Sequence, residues 1–412
     1  MTTEILTHRL SNGLTLLAEV MPAVQSAAFS LLIPAGAAND PANRRGLSSM
    51  LAEWWMRGAG DRESREIIDE LDRLGVSHAA SAGTAHLSLS AATLASQLLN
   101  SLPIFADIVR RPLLDPEELE PLQALAIQGL KGLEDDPGSK VIVELRKHAF
   151  PDPLGLNPAG TIEGVEAITT EDARHFHQTH VGPDGAILAV AGAIDWPQLR
   201  DRVEELFGDW APQHRSTLSL GEVRPSRHHL TKDTQQIQVA LAFPSVTVSH
   251  PEYYLARAVA AILGGYSSAR LFTEVREKRG LCYSISAGYE GFRERALILC
   301  HAGTSTERAQ ETLDVMLAEL DRLVRNGVDA QELKTMTAGL KSSLIMQQES
   351  SMSRASMLAG DWYHLGRVRS LNEIAAALDA LTPEAVSQHA VKLPIDQLTL
   401  ATLGPKALKY SQ

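Results

Sequence analysis

Cysteine is scarce: the 412 residues contain two, Cys282 and Cys300. Two thiols supply no disulfide framework, and they read as buried apolar residues on neighbouring strands. Long apolar runs are missing too, since no stretch approaches the roughly 18 uninterrupted apolar residues of a membrane span. The opening Met1-Thr2-Thr3-Glu4-Ile5-Leu6 lacks a basic stretch followed by an apolar core, the pattern of a secretory signal. These absences together set the expectation of a cytoplasmic protein. Blocks of Lys and Arg are also absent. Basic residues are interspersed with acids, as in Arg276-Glu277-Lys278-Arg279, which reads as a mixed-charge helix end. A net charge of −12 argues against nucleic acid or an anionic membrane as partner. Peptides, proteins and small molecules stay open.

What is present is ordinary globular material, 44% hydrophobic and 21% charged. A chain of this length exceeds one ordinary core, so two domains of roughly 200 residues are the default. An internal repeat organises them. Four blocks recur in the same order at an offset of about 205 to 215 residues. Ser26–Pro34 matches Gln236–Pro244, each strand-like and closed by proline. Asp69–Gly83 matches Thr273–Gly288, each a helix end, a glycine stop and a strand. Asp115-Pro-Glu-Glu-Leu119 matches Asp329-Ala-Gln-Glu-Leu333, each opening a long helix with an acidic first turn. Thr169–Ala173 followed by Ala186–Gly192 matches Thr382–Val386 followed by Gln397–Gly404, a capped helix and then a closing strand. Chance can supply one such match; four in order point to duplication.

Between the halves, residues 210–227 are polar and punctuated by Pro and Gly, so they read as a linker. The expected domains are therefore 1–209 and 228–412. Strands alternating with blocks of helix predict an α+β fold, two homologous layer sandwiches each with one sheet and helices mostly on one face.

The first long helix of the first half carries Arg45-Gly-Leu-Ser-Ser-Met-Leu-Ala-Glu-Trp-Trp-Met-Arg-Gly58. The segment resembles the place where active members of the pitrilysin family of zinc peptidases, family M16, carry the inverted motif His-x-x-Glu-His. That resemblance implies a LuxS/metallohydrolase-like fold in both halves. Aligned on Gly46 and Arg57-Gly58, the motif positions are Ser49, Ala52 and Glu53. The chemistry needs two imidazoles about one helical turn apart to hold zinc, with a carboxylate on the same face to take the proton of water. Serine and glutamate do not replace two histidines, and alanine is no base. In active relatives a distal glutamate ligand precedes a Glu-Asp-x-Pro segment. Here Glu134-Asp-Asp-Pro137 sets the register, and that position falls on Gly129, with Gln128 the only polar neighbour. No metal is expected in this chain. Elsewhere His175, His177 and His180 read as surface and helix-end residues, and the pair His228-His229 beside the linker reads as solvated.

The second half is different. Ser267–Ser284 reads Ser-Ser-Ala-Arg-Leu-Phe-Thr-Glu-Val-Arg-Glu-Lys-Arg-Gly-Leu-Cys-Tyr-Ser. It resembles the family's C-terminal signature, in which an arginine and a tyrosine seven residues later face the active site; here these are Arg276 and Tyr283. By residue type alone they read first as a solvated helix arginine and a half-buried strand tyrosine. Arg276 on a helix stopping near Gly280, and Tyr283 on the next strand, can nonetheless converge. The resemblance implies contacts to substrate carbonyls, an oxyanion-type role. Arg270 is expected to pack or pair, and Gly264-Gly265 to give a flexible approach.

In the smaller enzymes of the family two such subunits pair, one bringing zinc and the other the Arg/Tyr pair. The resemblance thus implies a non-catalytic subunit of a heterodimeric zinc peptidase acting on unstructured peptides, with zinc in a homologous partner and a homodimer possible for the isolated chain. The alternative is a catalytically inactive structural or peptide-binding scaffold of the same fold.

Overall fold

The computed structural model describes residues 4–213 and 218–410, so part of the linker lies outside the described residues. The chain forms two compact α+β units. Neither is continuous in sequence. The first contains Met1–Lys131, Leu156–Ser219 and Ile345–Arg369; the second contains Gly132–Gly155, Leu220–Leu344 and Ser370–Gln412. A cut at the linker therefore places two helical segments with the opposite unit.

The first unit holds a six-stranded sheet in the order Ile5–Arg9, Thr15–Val20, Ile187–Gly192, Ser26–Ile33, Leu87–Leu94, Ser77–Ala82. All neighbours are antiparallel except Thr15–Val20 with Ile187–Gly192, which run parallel. The second unit holds five strands in the order Arg227–Thr231, Thr399–Gly404, Gln236–Ser245, Ala296–Ser305, Cys282–Gly291. Its single parallel pair is Arg227–Thr231 with Thr399–Gly404. Apart from the edge strand Ile5–Arg9, which has no counterpart in the second sheet, order and direction repeat from one unit to the other, and each of the four sequence blocks falls on equivalent elements.

The central strands explain their own composition. Ile187–Gly192 and Thr399–Gly404 are buried at every position, so both faces are covered; the first is continuously apolar, and the second interrupts its apolar run with the buried threonines Thr399 and Thr402. Alternate residues face opposite layers. Leu188 and Val190 join the main core with Phe29, Trp54 and Phe105, whereas Ala189 and Ala191 meet Ala355, Leu358 and Ala359 of the helix Ser351–Leu365. In the second unit, Val239, Leu241 and Phe243 face the main core. Ala240 and Ala242 meet Val141 and Leu145 of the helix Pro137–Ala149. Small residues on the strand let that one covering helix lie close. These are the two helices that pack in the unit on the far side of the linker from their own half of the sequence.

Among them Arg354 is only 1% exposed and its partner Glu19 2%. The Arg354 Nε donates to Glu19 Oε2 at 2.8 Å, and a second guanidinium nitrogen bonds the same oxygen. A lone buried pair of this kind fixes where the helix seats more than it adds stability. Among the described residues no helix is long and apolar enough to cross a membrane.

Candidate functional site

The helix Leu47–Trp54 carries Ser49, Ala52 and Glu53, three of the four expected motif positions. Its N-terminus is held by Asp40, whose carboxylate accepts from the Gly46 and Ser48 amides, each at 2.9 Å. Burial pushes the Asp40 carboxyl up to about 6 despite those bonds. Ser49, Glu53 and Gly129 come together around one cavity of about 450 Å3, whose other walls include Met50, Leu122, Leu125, Ala126 and Leu130. Ala52 is instead packed in the core. The Ser49 hydroxyl already donates to the Pro158 carbonyl at 2.9 Å, which leaves Glu53 as the one carboxylate of the cavity wall. A single carboxylate in an apolar pocket does not fit zinc, which takes nitrogen, sulfur and oxygen donors from three or four side chains.

In the second unit Arg276 and Tyr283 do converge, and both stand on irregular backbone. Phe272–Glu277 forms a widened π turn in which the Lys278 amide donates to the Thr273 carbonyl five residues back, at 2.9 Å. Such turns recur at functional sites because the extra residue rotates the side chains that follow. The helix stops at Gly280, whose φ of +60° is the left-handed conformation that glycine supplies. On the strand side, Cys282 opposes Thr304 and Ser284 opposes Gly303. Tyr283 is left without a cross-strand partner, the signature of a β-bulge. The bulge turns its ring out until it is 82% exposed.

The two residues meet in space. The Arg276 guanidinium carbon lies 5.4 Å from the Tyr283 ring centroid and 4.6 Å from that of Phe272, within cation–π range of both. Among the described residues none gives the guanidinium a hydrogen bond or ion pair. Its in-plane donors are therefore available to a ligand. The strand bearing Tyr283 is the outermost of its sheet, so unpaired backbone groups lie alongside.

Charges beneath hold the turn in place. Glu274 is buried; its carboxylate accepts from Lys278 Nζ and from Arg279 Nη1, both at 2.7 Å, and Arg322 lies 3.5 Å away. The bonds from Lys278 and Arg279 overcome burial and pull its carboxyl down to about 2. Arg270, as expected, packs and pairs: Nε and Nη2 reach Glu332 at 2.6 and 2.7 Å, and Nη2 also donates to the Gly327 carbonyl. Gly264 serves close packing, since a Cβ there would come within 2.4 Å of the Ala287 amide nitrogen; this replaces the expectation of a flexible approach. Cys282 and Cys300 are free and buried on adjacent strands. Burial raises both thiols, Cys300 up to about 12, while Arg276 pulls Cys282 the other way.

The histidines divide. His175 is exposed, His177 donates to the Val109 carbonyl at 2.9 Å, and His180 stacks on Phe176. Burial lowers the pKa of the last two. His228 and His229 are partly buried rather than solvated. His229 hydrogen-bonds Thr402, and His228 stacks on His148. Strand placement sends the two rings to opposite faces, which a polar stretch beside a linker did not reveal. The π turn and the bulge were likewise missed. Their one sequence trace is that Thr273–Gly288 is one residue longer than the matching Asp69–Gly83.

Comparison with known proteins covers most of the chain. Residues 15–159 match the family described as Insulinase (Peptidase family M16), and residues 167–340 match Peptidase M16 inactive domain. An uncharacterized zinc protease of Bacillus subtilis, YmxG, is 27% identical over 96% of this chain and 97% of its own length. An uncharacterized zinc protease of Rickettsia bellii is 25% identical over 97% of both. Among solved structures, a peptidase M16 inactive domain from Pseudomonas fluorescens superposes with a TM-score of 0.91 at 20% identity, covering 99% of this chain and 100% of that one. A chain of complex III2 from Candida albicans gives 0.83 at 20% identity over 98% and 96%.

Proposed function

The chain belongs to peptidase family M16, and from that membership we propose that it is a non-catalytic subunit of a heterodimeric zinc metallopeptidase, contributing Arg276 and Tyr283 to a site whose zinc is held by a homologous partner subunit. The observation that carries this reading is the Arg276–Tyr283 pair. Two backbone irregularities, a buried carboxylate network and an open sheet edge combine to present one unpaired cation and one exposed phenol side by side. The vacated positions Ser49, Ala52, Glu53 and Gly129 offer no comparable construction.

The substrate is an extended, unstructured peptide. Its carbonyl oxygens accept hydrogen bonds from the Arg276 guanidinium and the Tyr283 hydroxyl, which orient the chain. As negative charge grows on the scissile carbonyl those bonds strengthen, and that difference lowers the barrier. The zinc in the partner supplies Lewis acidity and activates water. Two free, buried cysteines suit a reducing compartment, in keeping with a cytoplasmic enzyme. No helix among the described residues is long and apolar enough to cross a membrane.

A second reading, a peptide-binding scaffold without catalysis, has the apolar cavity at Met50, Leu122 and Leu130 in its favour. Mixing the chain with a His-x-x-Glu-His subunit separates the two. New peptidase activity that falls on Arg276→Ala supports the first, while peptide binding that never leads to cleavage in any mixture supports the second.

A further inference from the structure

In the second unit the helix Pro137–Ala149 and the edge strand Arg227–Thr231 bring three metal-binding side chains together. Glu144 and His148 lie one helical turn apart on the helix, and His228 projects from the strand. One donor atom from each lies within 4.8 Å of the other two, and all three side chains are partly buried. Glu144 Oε1 and His148 Nε2 are 2.9 Å apart, and the His148 and His228 rings stack at 3.4 Å with an interplanar angle of 7°. Of the described residues, only these three form such a group. We propose that Glu144, His148 and His228 form a binding site for a borderline-soft divalent transition metal, zinc or a close analogue.

The donor set argues for that class of ion. Two imidazole nitrogens and one carboxylate oxygen suit zinc and its neighbours, whereas calcium and magnesium require oxygen shells. The scaffold is firm. Val141 and Leu145 seat the helix on the sheet, and the strand pairs along its whole length with Thr399–Gly404, so the donors start close to their final positions. One adjustment is required. The lone pairs of stacked imidazoles lie in parallel planes, and one ring must turn for both to reach a common ion. His228 already has a second polar contact, Ser226 Oγ at 3.0 Å from its Nε2, which turning would exchange for the metal. Lys147, the exposed neighbour of His148 in sequence, adds a positive charge that the site must overcome.

Binding here has a structural consequence. The ion joins a helix that precedes the linker in sequence to the strand that follows it, both within the second unit. An ion that binds only the folded arrangement stabilises it by mass action.

The test uses the full chain, stripped with EDTA and titrated by calorimetry with ZnCl2 and separately with CoCl2. One ion per chain is expected, with a thermal midpoint raised by about 5 °C at saturating zinc. Cobalt is expected to show visible bands from imidazole ligation. His148→Ala and His228→Ala should each weaken binding by about tenfold or more and remove the thermal shift, while circular dichroism stays unchanged. His228→Asn gives the same readout should His228→Ala fold poorly. Ser49→Ala and Glu53→Gln should leave binding intact. Absence of stoichiometric binding, or binding that survives the loss of both histidines, overturns the proposal. Binding that instead depends on Glu53 overturns it and also the reading of the first unit as a vacated zinc site.

Discussion

The guanidinium carbon of Arg276 lies 5.4 Å from the centre of the Tyr283 ring, and neither residue sits on regular secondary structure. Arg276 belongs to a π turn and Tyr283 is the unpaired residue of a bulge. Each irregularity forgoes ladder hydrogen bonds, and each re-aims one side chain. Their coincidence at a sheet edge singles out this spot in the second unit.

Because both side chains point outward, replacing them should change function and not folding. In the active mixture, Arg276→Ala is expected to lower kcat/KM by about 100-fold or more, the usual cost of removing a transition-state donor. Tyr283→Phe should cost less, since the ring stays over the guanidinium and only the hydroxyl goes. Chemical denaturation should find both variants within about 0.5 kcal/mol of the parent.

Glu274 supports the turn by its charge. Its carboxyl lies near 2 in the native protein against an ordinary value of 4.5. The native state thus favours the ionised form. That contribution is complete above about 4.5 and is lost as pH falls from there through about 2. Urea midpoints measured against pH should show a steeper acid decline for the parent than for Glu274→Gln. In the mixture Glu274→Gln is expected to reduce activity without touching substrate, and the parent and the variant should converge in stability near pH 2.

The Arg354–Glu19 pair offers a test of the helix exchange. Arg354→Ala leaves Glu19 charged and buried, and should destabilise the first unit by about 3–5 kcal/mol. Pairing Arg354→Met with Glu19→Leu removes both charges and should restore most of that loss. Denaturation curves of the single and double variants measure it. Equal loss in both would mean that the cost does not come from stranding the Glu19 charge.

Much of this was legible in the sequence, and the rest was not for physical reasons. The duplication showed because helix stops, caps and apolar strands leave local marks, such as Thr169 and Thr382, both of which cap helices as expected. The convergence of Ser49, Glu53 and Gly129 on one cavity was reachable through motif spacing. The exchange of the helices Pro137–Ala149 and Ser351–Leu365 was not, because which sheet a helix covers depends on tertiary fit, here on alanines 189, 191, 240 and 242. His148 and His228 are far apart in sequence, so no spacing rule could bring them together.

Restoring donors to the first unit probes the vacated cavity. Ser49 and Glu53 already face it, and a Cβ added at Gly129 would meet nothing within 4 Å. Ser49→His, Glu53→His and Gly129→Glu combined, in a His228→Ala background, should gain one zinc per chain by metal analysis. No hydrolysis should accompany it, because Ala52 remains and supplies no base.

The division of labour is tested most directly by peptide hydrolysis measured for the purified chain, for a His-x-x-Glu-His subunit from the same organism, and for the two together. The expected result is cleavage by the mixture well above the sum of the separate rates, lost when the chain carries Arg276→Ala. A mixture no faster than the zinc subunit alone, or one indifferent to Arg276→Ala, would contradict it.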